Sequence, residues 1–335
     1  MPFQNKELMS LWREEKPLDQ APPAGSVALG VDIGGSRTKV GLVSQAGEVV
    51  YLHELATRVA PESPRRFIAV LLSSMRDALH QAGGPVLGIG LAFLGWLNKG
   101  RTGPYFCMNA PALHDFNFKA LIEDEFRLPV VVRDDVTAHT LAEYRFGSGR
   151  GCRRFMCLAM GTGLGAGVMV DGRPLDFTGG CAGDTGHILL RPGGPQCTAG
   201  CRGCAEALIG VAGIERLARE VYRVPRSAAE IIQGAANGSD PVAVPVMREI
   251  GMYTGELLAS LFPIFVPHRI ALTGGTAKAG EVLLAAARER FENLMGGYCR
   301  SYESVSGHRF TKDDIVLGEL SGETGVIGAV ADFIG

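Results

Sequence analysis

FMCLAMGTGLGAGVMVDG, residues 155–172, is the stretch on which the fold turns. Its glycine spacing invites a dinucleotide-binding reading, but that fingerprint needs a strand before the glycines and a helix after them. Here a second apolar run, VMV closed by Asp171-Gly172, follows the glycines, so they join two strands. No G-x-x-x-x-G-K-[ST] occurs in the chain, which removes a P-loop as well. A second stretch, VALGVDIGGSRTKVGLV (27–43), repeats strand, glycine turn, strand. Both turns carry a hydroxyl residue, Ser36 and Thr162. Glycine turns leave backbone amides open to phosphate oxygens. The plainer alternative is that Gly34, Gly35, Gly163 and Gly165 only close tight turns. A third turn, Thr273-Gly274-Gly275-Thr276, lies between a strand and a helix and could take the base and ribose end of a nucleotide.

Around these hairpins the chain alternates strands and helices, which predicts an α/β protein. Residues 48–57 and 86–93 read as strands, and Pro64–Gln81 has helical spacing through Phe67, Val70, Leu71, Met75 and Leu79. Phe118–Phe126 reads as a short helix. LPVVVRDD (128–135) is a strand running straight into a helix over Val136–Phe146. In the second half, helices are predicted near Ala205–Tyr222, Ala228–Ala235, Val242–Leu261 and Ala279–Met295, with a strand at 269–275 and a helical tail from Gly322 to Ile334. Residues 1–25, ending in APPAG, read as an extension, either a short helix over Glu7–Glu15 or unstructured. The two halves, each with its glycine hairpin, suggest a weak internal duplication.

A length of 335 residues allows about two domains, each with a sizeable core. The expected division is an extension at 1–25, a small α/β domain at 26–135 joined by the C-terminal helix at 322–335, and a large α/β domain at 136–321. A net charge of −2 offers no electrostatic footprint for nucleic acid or an anionic membrane. No apolar run approaches the roughly 18 residues of a membrane span, and the amino terminus lacks a signal-peptide apolar region. The expected location is the cytoplasm. There the scattered cysteines Cys107, Cys152, Cys157, Cys181 and Cys299 read as inert thiols rather than a disulfide framework.

The remaining three cysteines fall in GHILLRPGGPQCTAGCRGCAE (186–206). His187, Cys197, Cys201 and Cys204 form a complete donor set for a closed tetrahedral zinc site, which is structural because no position is left for a substrate water. The alternative is three unligated thiols on a loop, where exposed thiolates are chemical liabilities. Asp184 and Glu206 bracket the cluster.

Taken together, these motifs resemble the ROK family of bacterial sugar kinases, within the actin-like ATPase superfold, from about Val27 to the C-terminus. DIGGSRTKVGL (32–42) is similar to the family's first phosphate motif and MGTGLGAG (160–167) to its second. LTGGTAKAG (272–280) is similar to the adenosine segment, RDDVTAH (133–139) to the stretch with the catalytic aspartate, and GDTGH…C…GCAE to the sugar and zinc signature. The resemblance implies a two-lobed α/β actin-like ATPase (ribonuclease H-like) fold with a zinc-binding loop, ATP–Mg2+ and a hexose in the cleft, and usually a homodimer. It places Asp135 as the general base that takes the proton from a sugar hydroxyl, commonly on C6, as in-line phosphoryl transfer requires. An unperturbed Asp, with a pKa of about 3.9, would serve without tuning; its plainer role is to cap the helix that follows, which Asp134 could do equally well. Asp32 would hold magnesium through water, and Ser36, Arg37 and Lys39 lie where the family contacts phosphates, Arg37 and Lys39 being otherwise solvated strand residues. Asn109, Asp134, Asp184, His187 and Glu206 match positions that bind sugar hydroxyls, His187 bridging zinc and sugar.

Three departures bear on the substrate. The cysteines are spaced C-x3-C-x2-C instead of C-x-C-x4-C, with Ala199 in the usual middle place. Asp134 stands where the family has Asn, so an acceptor-only group replaces an amide. Asp184 is one methylene shorter than the usual Glu. An altered hexose, an amino sugar drawn by the extra negative charge, or weakened activity would each follow. The competing functions are a ROK-like sugar-sensing regulator and a sugar-binding protein without turnover. The first needs a helix-turn-helix module before the first hairpin, where only 26 residues stand.

Overall fold

A computed structural model describes residues 22–57, 59, 64–105, 111–177, 183–320 and 322–335. The expected N-terminal helix, Asn109, Cys107 and Cys181 lie outside the described residues. Two five-stranded mixed sheets form the molecule, one in each half of the chain.

In the first sheet β1 (Val27–Ile33), β2 (Arg37–Ser44) and β3 (Val49–Ala56) form an antiparallel meander. Then α1 (Arg65–His80), β4 (Val86–Phe93), α2 (Phe118–Phe126) and β5 (Val130–Asp134) add parallel strands on the other side of β1. The spatial order is β3-β2-β1-β4-β5. The central strand β1 is buried along its whole length except at Asp32, as expected of a strand covered on both faces. One cover is the amphipathic stripe of α1 (Phe67, Leu71, Met75, Ala78), which packs with Phe118 and Ile122 of α2.

After α3 (Asp135–Phe146) the second half repeats this connectivity. The antiparallel strands β6 (Arg154–Met160), β7 (Leu164–Val170) and β8 (Arg173–Pro174) come first. Four helices follow: α4 (Ala205–Ile209), α5 (Val211–Val221), α6 (Ala228–Ala236) and α7 (Ala243–Phe265). Then come parallel β9 (Arg269–Thr273), α8 (Glu281–Ser306) and parallel β10 (Ile315–Leu317), giving the order β10-β9-β6-β7-β8. The chain returns through α9 (Thr324–Ala329), whose Val326 and Ile327, with the C-cap residue Val330, join Ala28 and Val43 of the first sheet and Ala142 of α3 in one cluster. Because α3 also packs Leu141 against Phe155 and Met169 of the second sheet, it ties the halves together.

Three expected helices are corrected. The tail expected over Gly322–Ile334 is helical only at Thr324–Ala329, with turns following at 330–333. The helix over Ala205–Tyr222 is two helices broken at Gly210, which adopts extended backbone (φ −65°, ψ 177°). A Cβ there would stand 2.9 Å from the Glu206 carbonyl oxygen and 3.2 Å from that of Thr162, so crowding against the second glycine turn fixes the break. The helix expected to stop at Met295 runs on through Gly296-Gly297 to Ser306 and stops at Gly307, whose φ of +66° is left-handed. Flanking packing overrides the roughly 1 kcal/mol cost of each interior glycine.

Candidate active site

Ligands of open α/β sheets bind beyond the carboxyl ends of the parallel strands. Those ends in both sheets converge here on one cavity of about 900 Å3. From the first sheet come Asp32 near the end of β1, Gly35 and Ser36 in the turn, Lys39 on β2, Trp96 after β4, and Asp134 and Asp135 at the β5–α3 junction. The second sheet supplies the turn Gly161–Gly165, Gly274 and Gly275 after β9, and Gly318 after β10. Asp184 and Glu206 complete the wall. Gly274 is irreplaceable in its turn: its φ is +86°, and a Cβ would lie 2.4 Å from the Met160 carbonyl oxygen.

The start of β7 holds the acids in one place. Gly165 packs under Val136, where a Cβ would meet Val136 Cγ2 at 2.9 Å. The Leu164 N–H donates to Glu206 Oε2 at 3.3 Å, and the Ala166 N–H donates to Thr185 Oγ1, next to Asp184, at 2.8 Å. Asp135, Asp184 and Glu206 therefore arrive from three segments on one short stretch of strand.

The adjacent aspartates divide the labour that the sequence left open. Asp134 has extended backbone and is the N-cap of α3, its Oδ1 accepting from the Thr137 N–H at 2.8 Å. Its other oxygen, Oδ2, is buried without a hydrogen-bond partner among the described residues. Asp135 is thereby released from capping, accepts a local bond from the Val136 N–H at 3.0 Å, and faces the cavity.

The expectation that Asp135 needs no tuning is corrected. Burial, reinforced by the charges of Asp134 and Asp32, pushes Asp135 up to about 8. Burial also raises Asp134 to about 6, although its hydrogen bonds with Thr137 pull the other way. Asp32 is raised by burial, partly offset by His139 and Lys39.

Other expected contacts are also corrected. Arg37 does not reach the cavity: its guanidinium lies across β2 and β3 on Glu54, 2.6 Å away, in solvent. Thr276 is buried below the cavity wall and Gly34 shapes the turn behind it, its N–H donating to the Arg37 carbonyl at 3.0 Å. His187 likewise stands behind the wall, with Asp184 in front of it.

His187 instead belongs to the thiol cluster. Its Nδ1 lies 3.3 Å from Cys201 Sγ and 3.7 Å from Cys197 Sγ, and the two sulfurs are 3.2 Å apart. The four donor atoms, Cys204 included, fall within 4.8 Å of one another. Zinc–sulfur bonds of about 2.3 Å imply tetrahedral edges of about 3.5–3.8 Å, so these residues fit a zinc ion. The re-routed Cys201, not the missing middle cysteine, completes the set. His187 Nε2 points the other way, 3.7 Å from Asp184 Oδ2. The buried thiols Cys157 and Cys299, pushed up to about 12 and 11 by desolvation, are chemically quiet.

Among the site residues that escaped the sequence reading are His139, Thr324 and Glu143. His139 shares a hydrogen bond with Thr324 at the head of α9 and stands beside Asp32 and Lys39, its charged form disfavoured by burial. Thr324 lines the cavity as well. Glu143 is fully buried one turn further on and gathers four donors: the Ser148 N–H and Oγ–H at 2.9 and 2.7 Å, and the N–H groups of Glu319 and Leu320 at 3.1 and 2.9 Å. It thereby anchors the Gly318–Leu320 edge of the cavity. The readable signal was the spacing Asp135, His139, Glu143 at i, i+4, i+8, one face of α3. Glu143→Gln is expected to cost about 2–4 kcal/mol, because an amide NH2 must then face N–H donors. A urea unfolding midpoint equal to that of the wild type would remove Glu143 from this role.

Comparison with known proteins agrees with this geometry. The ROK family model matches residues 28–333. The glucokinase of Halalkalibacterium halodurans is 31% identical over 285 residues, 79% of this chain and 84% of that protein. The glucokinase of Streptomyces coelicolor is 28% identical over 320 residues, covering 90% of this chain and 96% of its own. A crystal structure of a ROK family glucokinase from Streptomyces griseus in complex with glucose and AMPPNP superposes with a TM-score of 0.76 at 28% identity, over 92% of this chain and 99% of that one. The chain belongs to the ROK family.

Proposed function

We propose that the protein is a sugar kinase that moves the γ-phosphoryl group of ATP to a hexose hydroxyl, with Asp135 as the general base. The observation that carries this reading is the convergence of both glycine turns and a freed, cavity-facing carboxylate at the carboxyl ends of two sheets with the same connectivity. Similarity to glucokinases, one of them crystallised with glucose and AMPPNP, supports the same chemistry.

The turn amides at Gly35–Ser36 and Gly161–Gly163 would receive phosphate oxygens, and Gly274-Gly275 the nucleoside end. Asp32 is the residue to hold magnesium, which when bound spreads the charge of the transferring phosphoryl group. Lys39, anchored on the Gly322 carbonyl beside Asp32, adds a positive charge to the same end of the cavity. Asp184 and Glu206 would accept from sugar hydroxyls. With its raised pKa, Asp135 holds the abstracted proton more firmly than a solvated carboxylate could, which favours proton removal from an alcohol. The zinc segment would act at a distance by holding Asp184 and Glu206 through His187 and Cys204. Closure of the halves would exclude water from the phosphoryl group.

The test is ADP release from ATP–Mg2+ by folded, zinc-loaded protein over a panel of glucose, mannose, allose, fructose, glucosamine and N-acetylglucosamine. Turnover that depends on a sugar is the expected result; ADP release identical with and without every sugar would sink the kinase reading.

A further inference from the structure

The acid end of the cavity is lopsided in its hydrogen-bonding chemistry. Asp134, Asp135, Asp184 and Glu206 line it; Asp135 keeps its proton up to about pH 8, and each of the others, once ionised, only accepts. The lysines of the wall stand elsewhere: Lys39 is tied to the Gly322 carbonyl near Asp32, and Lys278 follows the Gly274-Gly275 turn. Trp96, three residues beyond the Phe93 that pairs with Asp134 across β4 and β5, contributes an aromatic face and a single indole donor.

Within this end one buried side-chain atom is left unsatisfied among the described residues. Asp134 is only 3% exposed, its Oδ1 accepts from the Thr137 N–H, and Oδ2 has no hydrogen-bond partner among the described residues. A buried carboxylate oxygen without a donor is costly, and such a group at a cavity wall marks the place where a ligand must bring one. A neutral sugar hydroxyl brings one hydrogen and asks for one acceptor and one donor. An asparagine side chain offers both kinds of group to it; an ionised aspartate does not. An ammonium brings three hydrogens and a charge, and its hydrogen bonds to a carboxylate are roughly twice as strong as neutral ones.

We propose that the sugar selected by this site is an aminohexose with a free, protonated amino group, seated against Asp134 Oδ2 among the four acids. This rests on the preceding section only in taking the cavity for a sugar site. N-acetylation would remove both the charge and two of the three donors, so the acetylated sugar is a poor ligand. The face of Trp96 offers the ring's C–H edge an apolar surface beside the acids.

Two measurements test the assignment. The first is calorimetric binding of glucosamine, glucose and N-acetylglucosamine to the zinc-loaded protein without nucleotide, which is independent of turnover. Glucosamine is expected to bind at least tenfold more tightly than either of the others; equal or weaker binding overturns the proposal. The second is the ratio of kcat/KM for glucosamine over glucose in wild type and Asp134→Asn. Asparagine caps a helix as well as aspartate does, so Thr137 keeps its partner and α3 its start. The ratio is expected to fall at least tenfold in the variant; an unchanged ratio removes Asp134 from the selection. Turnover on neutral hexoses with no preference for glucosamine keeps the kinase and overturns the aminohexose. Absence of turnover on every sugar, with tight glucosamine binding, overturns the kinase and keeps the aminohexose site.

Discussion

Asp135→Asn is expected to lower kcat by about 10^2–10^4-fold, the usual worth of a positioned general base, while making the fold more stable. The two effects have one cause. Asp135 sits in a desolvated wall beside Asp134 and within the field of Asp32, and its pKa is pushed up to about 8. In the unfolded chain the same group titrates near its ordinary value of about 3.9. The folded state thus binds the proton more tightly, so this group's contribution is favourable at acid pH. It is lost progressively as the pH rises from about 4 through the folded pKa near 8. Asparagine carries no charge to desolvate and removes the penalty. We expect the variant to gain about 1–3 kcal/mol near pH 8, a rise in melting temperature of about 2–10 °C for a chain of this size, with a smaller gain at pH 5. Wild-type kcat/KM should climb with pH up to about 8 and then level, as the free protein's base loses its proton. A flat profile from pH 6 to 9, or an inactive variant that is also less stable at pH 8, would put the base elsewhere.

The second large effect is expected at the zinc segment. Cys204 is fully buried, is the N-cap residue of α4, and pairs across a β-bridge with Leu189. Glu206 stands two residues further on in the first turn of α4. The Cys204 side chain makes no capping hydrogen bond, and serine is a favoured N-cap, so Cys204→Ser does not weaken helix initiation and the change isolates the metal ligand. Zinc binding to such donor sets supplies about 10–16 kcal/mol in peptides, so losing one of four ligands should release the ion and loosen residues 187–204. The expected readouts are zinc content falling from about one per chain to near zero, proteolysis within that segment, and KM for the sugar rising at least tenfold. A chelator applied to the wild type should reproduce all three. Wild-type KM in a zinc-free variant would show that Glu206 and Asp184 do not depend on the cluster.

Much of this architecture is legible in local patterns. The runs VALGVDI and FMCLAM are apolar enough to be strands buried on both faces, and the glycines after each exclude a helix there. The stripe of α1 follows from spacing alone, and the histidine with three cysteines reads as a metal site from donor type and separation. These features depend on neighbours within a few residues, so a one-dimensional string contains them.

What escaped depends on segments far apart in the chain. RDDVTAH shows two candidate caps and two candidate bases; only the point at which β5 ends, set by its pairing with β4, makes Asp134 the cap and Asp135 the free acid. Arg37 looks like a phosphate ligand beside a glycine turn, yet the register of β2 on β3 points it at Glu54. Gly210 breaks a helix because the second glycine turn crowds it, whereas Gly296 and Gly297 do not, because α8 is held by its packing. His139 and Glu143 look like ordinary polar residues on an amphipathic helix until α9 and the Gly318–Leu320 segment are brought against them from the other end of the chain. The raised pKa of Asp135 is of the same kind, since desolvation and the field of Asp32 exist only once the sheets have converged. Backbone propensity and side-chain spacing act locally and survive in the sequence; burial and the pairing of distant charges arise from tertiary packing and appear only in the folded molecule.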